Sequence, residues 1–155
     1  MQEYFVKEFD APIADGAAVL DLTQTALKQC RGCWSCWWTT PGRCAFHDLD
    51  DFYRAFLAAD KVYIYCGASQ GFVTSNMKAL IDRMIVLVLP NIAWDGGESR
   101  HEARYDRYPA VDVLYRGDFL PGEEEVFVAY WRRTLDMLYI PQISVRRYQE
   151  KEARV

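Results

Sequence analysis

Residues 61–83 read KVYIYCGASQGFVTSNMKALIDR, and this stretch decides the fold. Its first part, Lys61–Cys66, is rich in β-branched and aromatic residues and ends at Gly67, a pattern typical of a buried strand. Thr74 is a good N-cap residue, and the apolar residues after it recur at three- and four-residue steps, which predicts a helix. This helix is predicted to continue until Pro90 stops it.

The segments on either side repeat this alternation of strands and helices. Three further strands are predicted at Ala17–Leu22, Val111–Tyr115 and Ile143–Tyr148, and two further helices are predicted to begin at Asp48 and Glu123. Asp48 is expected to cap the first of these helices. The polar, glycine-containing stretch Asn91–Tyr108 is interpreted as a long loop. Strands alternating with helices indicate an α/β protein with a parallel sheet, and residues 1–155 suit a single domain.

The charge balance and the apolar pattern limit the classes of partner. The chain has 18 basic and 22 acidic residues and no basic stripe, which argues against nucleic acid. Its longest apolar run, Met84–Leu89, is too short to span a bilayer, and no signal sequence is visible, so a cytoplasmic protein is expected. A helix that is apolar on all sides is buried by its own domain or by a second subunit. A homodimer or higher homo-oligomer is therefore expected.

Four of the five cysteines fall in one short segment. Cys30, Cys33, Cys36 and Cys44 follow the spacing C-x2-C-x2-C-x7-C, in which neighbouring thiolates can converge on one metal centre. These four residues are candidate ligands of a [4Fe–4S] cluster. They could also hold a structural zinc ion, with His47 in place of one of them. The remaining alternative is four free thiols that pack in a tryptophan-rich turn.

The cysteine segment and the helix after Thr74 together resemble one protein family. The motifs C-x-G-C-x-x-C from Cys30, G-x-C ending at Cys44, D-x-D-D from Asp48 and GFVTSNMKALIDR up to Arg83 resemble the flavodoxin-like NAD(P)H-dependent FMN reductases and the related iron–sulfur flavoproteins. The resemblance implies a three-layer flavodoxin-like sandwich with FMN at the carboxyl ends of the parallel strands. It also implies hydride transfer from a nicotinamide nucleotide to the flavin, and a small electron acceptor.

The resemblance supplies the candidate residues of the flavin site. The segment along the flavin ring would consist of Gly67, Ala68, Ser69, Gln70 and Gly71, together with Thr74. In this segment Gly67 replaces a proline and Ser69 a tyrosine of the family pattern, so rigidity and an aromatic face are lost. Cys66, just before it, is either a reactive or a buried thiol. The tryptophans of the cysteine segment would cover a flavin, a cluster or an oligomer interface; they are Trp34, Trp37 and Trp38.

The N-terminal residues depart from the family pattern. They contain no Gly-Ser-Pro-Arg-like loop that would hold a flavin phosphate at a helix start. Glu3–Phe9 is interpreted as the end of the first helix, with a short strand as the alternative. The sandwich is therefore predicted to lack its first strand and its phosphate loop. An FMN phosphate would need another anchor, such as Arg31, Arg43 or a partner subunit.

Two functions follow from these observations. The first is an NAD(P)H-dependent flavoprotein oxidoreductase of the FMN reductase type, truncated or divergent at its N-terminus. The alternative is a flavin-free flavodoxin-like module that binds a metal or another protein. Several charged residues are expected to be solvated or paired along their helix in either case: Lys78, Arg83, His101 and the patch Arg104–Tyr108.

Overall fold

A computed structural model describes residues 1–150 of the chain. The strands are β1 (Glu3–Lys7), β2 (Ala18–Asp21), β3 (Lys61–Ser69), β4 (Phe72–Val73), β5 (Val88–Asp95), β6 (Glu98–Ala103), β7 (Ala110–Arg116) and β8 (Ile143–Arg147). The helices are α1 (Ser35–Trp38), α2 (Asp50–Ala58), α3 (Ser75–Arg83) and α4 (Glu123–Met137). Five parallel strands form the central sheet in the order β2-β1-β3-β7-β8, and β4 pairs antiparallel with the end of β3.

The alternation of side chains along the strands divides the core between the two faces of the sheet. Val6, Ile64 and Val113 belong to the main core, which also contains the buried residues of α2, α3 and α4. The opposite face carries a smaller cluster around Phe5 and Tyr65, covered by side chains of residues 11–17 and by Tyr148. The α/β prediction is confirmed, and the architecture is consistent with a flavodoxin-like three-layer sandwich.

The N-terminal segment is a central strand, so its interpretation as the end of a helix is wrong and the strand alternative is right. β1 pairs with β2 on one side and with β3 on the other. Tyr4, Phe5 and Val6 are all buried, as expected for a strand covered on both faces, whereas a helix end would expose one of them. The first strand is therefore present. The segment 8–17 joins β1 to β2 without a helix.

The apolar run after α3 was predicted to continue that helix, and this prediction is wrong. α3 ends at Arg83, a 3-10 turn covers Met84–Leu87, and Pro90 lies within the strand β5. Val86, Leu87 and Val88 are buried by the chain itself, so this run gives no argument for a second subunit. Within residues 1–150, no helix combines the length and the apolarity needed to cross a membrane.

The predicted long loop Asn91–Tyr108 is wrong for most of its length. β5 and β6 form an antiparallel hairpin joined by Gly96 and Gly97, whose φ angles are 59° and 88°. Two successive positive φ angles are what a tight two-residue hairpin turn requires, and Asp-Gly-Gly is a common sequence for it. The Asp-Gly-Gly sequence was therefore a turn signal that indicated a hairpin, even though the strands on either side of it are polar.

Candidate functional site

The first candidate site is the crevice at the carboxyl ends of β1 and β3, where parallel α/β sheets bind ligands. The side chain of Glu8, the first residue after β1, fills it. Gly67 N–H donates a hydrogen bond to Glu8 Oε2 at 2.9 Å, and the Thr74 hydroxyl donates to Glu8 Oε1. The backbone N–H of Glu8 donates to the Tyr65 carbonyl at 2.9 Å. One carboxylate thus ties together the ends of two strands and the start of α3.

Thr74 caps α3 as predicted. Its hydroxyl oxygen accepts a hydrogen bond from the Met77 backbone N–H at 3.1 Å while the same hydroxyl donates to Glu8. The residues before it form a tight hairpin in place of an open loop, because Ala68 and Ser69 pair with β4. Gly71 has a φ angle of 71°, and the Glu123 carboxylate lies against its Cα. The predicted flavin-side residues 67–71 therefore lie together, in a turn packed by the protein's own side chains.

The crevice does not fit FMN held in the family manner. Residues 8–17 contain no helix whose N-terminus could cradle a phosphate, and the Gly67 N–H already has the Glu8 carboxylate as its acceptor. Of the two predicted phosphate anchors, Arg43 pairs with Asp50, and Arg31 lies 5.0 Å from the centroid of the Phe46 ring. FMN binding stays a prediction.

Cys66 lies at the base of the same crevice and is fully buried. Burial raises the pKa of its thiol well above the usual range, and the neighbouring Glu8 carboxylate raises it further. Burial likewise raises the pKa of Glu8, although hydrogen bonds from Thr74 and Gly67 act against that shift. Cys66 is therefore a neutral thiol near pH 7, and of its two predicted roles the structure favours the buried one.

The second candidate site is a cavity of about 460 Å³ that all four clustered cysteines line. Cys30 and Cys33 are exposed at it, whereas Cys36 and Cys44 are half-buried. The short helix α1 positions Cys36, and it is fastened to β5 by the Trp37 Nε1–H, which donates to the Val88 carbonyl at 3.0 Å. Other walls of the cavity are formed by aromatic, aliphatic and charged residues, among them Trp34, Trp37, Phe46, Ile85, Asp82, Arg83 and His101.

The sulfur atoms of this cavity lie within one another's electrostatic influence. Burial raises the pKa of Cys36, and the nearby Cys44, Cys30 and Cys33 thiolates raise it further. The pKa of Cys33 is lowered by hydrogen bonds from the Ser35 side chain and backbone. Even so, within residues 1–150 no three His, Cys, Asp or Glu side chains are already arranged to hold a metal ion. A metal centre would therefore require the cysteine side chains to rearrange.

Three cations surround the Phe46 ring at the wall of the cavity. Lys28 Nζ, Arg31 Cζ and Arg83 Cζ lie 5.0, 5.0 and 5.2 Å from the ring centroid. Arg83 forms an ion pair with Asp48, in which Nη1 donates to Oδ2 at 3.2 Å. In the described part of the chain, Lys28 and Arg31 have no carboxylate within salt-bridge distance. The surroundings of the cysteines thus carry an excess of positive charge.

Arg83 is the structural centre of this charge cluster, and its prediction as a solvated residue is wrong. Arg83 is only 1% exposed, and its Nε–H has no hydrogen-bond acceptor among the described residues. Asp48, which was predicted to cap α2, instead faces Arg83, and the N-cap position belongs to Leu49 with no side-chain cap. No sequence pattern predicts this pair, because its members are 35 residues apart.

The remaining charged candidates are structural. His101 is half-buried with its ring 4.8 Å from Trp37, so its prediction as a surface residue is wrong. Arg104 donates from Nε to the Val86 carbonyl at 3.0 Å, and the Tyr108 hydroxyl donates to the Leu87 carbonyl at 2.6 Å. This patch therefore anchors the chain between α3 and β5 and is not a solvated loop.

Two further predictions concern residues outside the cavity. Lys78 pairs with Asp82 one turn along α3, as predicted for a helix-pairing charge. His47 points its Nδ1 toward the Asp50 carboxylate at 3.4 Å and does not line the cavity. Of the two zinc ligand sets considered from the sequence, the structure brings together the four cysteines and not the set with His47.

No protein-family model matches this chain, and no curated protein is similar enough to count as a relative. The fold defines the class: an α/β protein whose mostly parallel sheet is flanked by helices, consistent with a flavodoxin-like sandwich. The activity must be argued from the two candidate sites.

Proposed function

We propose that this chain is a flavin-free redox protein that holds a [4Fe–4S] cluster on Cys30, Cys33, Cys36 and Cys44. The observation that carries the proposal is that all four cysteines line one cavity beside the buried guanidinium of Arg83, which has a free N–H. Soft thiolate ligands select zinc, Cu(I) and iron–sulfur clusters over oxygen-preferring metals. A bound cluster would supply one-electron transfer.

The charge around the cavity supports an anionic occupant. Near the Phe46 ring, Lys28, Arg31 and Arg83 face one carboxylate, that of Asp48. The Asp82 carboxylate at the cavity wall is already paired with Lys78. An oxidised [4Fe–4S] cluster with four thiolate ligands carries about two negative charges, which would compensate the two surplus cations.

The neighbours of the cysteines also suit a cluster. The Arg83 Nε–H would donate to a sulfur atom, and hydrogen bonds to sulfur are one means by which proteins set cluster potentials. A cavity of about 460 Å³ is wide for a single zinc ion, which structural sites enclose tightly. We place the protein in the cytoplasm, where thiols stay reduced and available as ligands.

Anaerobic reconstitution with iron and sulfide tests the proposal. We expect a brown protein with about four iron and four sulfide atoms per chain and broad absorption near 400 nm. If the protein binds one zinc ion per chain and retains no iron, the four cysteines form a structural zinc site and the cluster proposal is wrong. A colourless protein with five titratable thiols after reconstitution would contradict both forms of the metal proposal.

A second candidate function is that of an FMN reductase, which would use a nicotinamide nucleotide and a small electron acceptor and would assemble as a homodimer. One observation favours this function. The predicted flavin-side residues 67–71 lie together at the carboxyl end of β3, the edge at which parallel α/β sheets bind ligands. Titration of free FMN, followed by quenching of its fluorescence, tests this function. Binding at micromolar concentration together with NAD(P)H oxidation would establish it, and absence of binding at 1 mM would remove it.

A further inference from the structure

The crevice at the carboxyl edge of the sheet has the chemistry of a carboxylate site, apart from any flavin. Two donors converge on it: the Gly67 N–H at 2.9 Å from Glu8 Oε2 and the Thr74 hydroxyl at Oε1. The site lies at the start of α3, a helix of nine residues, whose positive end favours negative charge. These donors offset the cost of placing a carboxylate in a largely buried position.

The chain delivers its own anion to this position. Side chains alternate along β1, so Glu8 follows Val6 on the face that packs against the helices, whereas Phe9 joins the cluster on the opposite face. The Glu8 backbone N–H continues the pairing of β1 with β3 by donating to Tyr65.

We propose that the Glu8 carboxylate is an intramolecular ligand, and that the crevice becomes a binding site for small free carboxylates when this side chain is removed. In the native protein, the anion that joins β1, β3 and α3 is therefore a side chain of the protein itself and not a separate bound molecule. The proposal does not depend on the function of the cysteine cavity, because the two sites share no residues.

Chemical rescue of Glu8→Ala tests the proposal. We expect the variant to lower the Tm by about 4 °C or more, because it leaves the Gly67 N–H and the Thr74 hydroxyl without their acceptor. Sodium acetate at 0.2 M should restore at least half of this loss relative to sodium chloride of equal ionic strength. Glu124→Ala, which removes a half-buried carboxylate that pairs with Arg147 and accepts a hydrogen bond from the Tyr115 hydroxyl, is the matched control and should gain nothing from acetate.

Two further variants separate a carboxylate site from a general effect on stability. Glu8→Ala combined with Thr74→Val should not respond to acetate, since one of the two donors is gone. Glu8→Gln keeps an acceptor oxygen and the shape of the side chain, so it should fold even if Glu8→Ala does not. In Glu8→Gln, amide hydrogen exchange at Gly67 should stay within tenfold of the wild-type rate.

Two results would overturn the proposal. The first is an equal response to acetate in the wild type, Glu8→Ala and Glu124→Ala. The second is a Glu8→Gln protein whose Gly67 amide exchanges more than a hundredfold faster than in the wild type, since an acceptor at this position would then not hold the strand end.

Discussion

The two candidate sites differ in how completely their polar groups are satisfied. In the crevice at the carboxyl edge, the Gly67 N–H and the Thr74 hydroxyl have an acceptor within the chain. In the cysteine cavity, Arg83 Nε and His101 Nδ1 are buried without one in the described residues. Buried polar groups in native proteins are nearly always paired, so unpaired ones point to an occupant. We therefore expect an occupant in the cavity, to which the cysteine motif of the sequence also pointed.

The largest effect that tests this difference is the loss of bound metal. We expect Cys36→Ser to abolish iron retention after anaerobic reconstitution, because a hydroxyl replaces one thiolate of the cluster. Cys66→Ser, which changes the buried thiol of the crevice, should keep the wild-type iron content. Iron and sulfide analysis of both proteins decides the matter. Equal iron in the two variants would place the metal outside the cavity or show it to be adventitious.

The next largest effect concerns the ion pair between the buried Arg83 and the partly exposed Asp48 beside the cavity. Asp48→Asn should lower the free energy of unfolding by about 3 kcal/mol, because it leaves the buried guanidinium of Arg83 without its counter-charge. Asp51→Asn removes a carboxylate that is 97% exposed, and it should change the stability by no more than about 0.5 kcal/mol. Urea unfolding monitored by tryptophan fluorescence measures both. If Asp48→Asn lowers the free energy of unfolding no more than Asp51→Asn does, the Asp48 carboxylate does not stabilise the buried Arg83.

A smaller effect is expected in the turn of the crevice. Gly71→Ala should cost more than about 1–2 kcal/mol, since alanine is strained at a φ angle of 71° and its Cβ would displace the Glu123 carboxylate. Gly16→Ala has a similar φ angle of 77° with open space around it, so it measures the backbone strain alone. The difference between the two unfolding free energies gives the contribution of packing. Equal losses of unfolding free energy in the two variants would mean that the Glu123 carboxylate does not pack tightly against Gly71.

The smallest effect is a dependence on acid pH. Arg83 lowers the pKa of Asp48 in the folded protein, chiefly through their hydrogen bond. A carboxylate whose folded pKa lies below its unfolded value contributes stability above the unfolded pKa and loses it as pH falls through the folded pKa. The contribution should therefore decline progressively as the pH falls below about 4, the ordinary pKa of an aspartate. Urea midpoints of wild type and Asp48→Asn should converge there, and a constant difference down to pH 2 would contradict the linkage.

The sequence predicted the features that depend on neighbouring residues. The strand at Lys61, the Thr74 cap and the Lys78–Asp82 pair each follow from residues within a few positions of one another. The Gly96-Gly97 turn had a local signal too, and it was outweighed by the polar residues around it. The strand at Glu3 was only the alternative interpretation, because the spacing of aromatic residues alone does not distinguish a helix end from a short buried strand.

Features that join distant segments could not be read from the sequence. Glu8 meets Gly67 across 59 positions, and Asp48 meets Arg83 across 35. Each pair forms only because the sheet and helices bring the segments together, and no motif marks it. For the same reason the cysteine spacing predicted a shared site but not the buried cation beside it.

The direct connection between β1 and β2 has a consequence for the order in which the chain folds. Parallel neighbours usually need a crossover of a dozen or more residues, whereas here residues 8–17 suffice. Each halving of a loop lowers the entropy cost of closing it by about 0.6 kcal/mol. The β1–β2 pair is therefore the most local contact of the parallel sheet, and pairing of this ribbon with β3 must still close the long segment that carries the cysteines. Folding should be limited by that later closure, since non-local pairing sets the speed of parallel sheets.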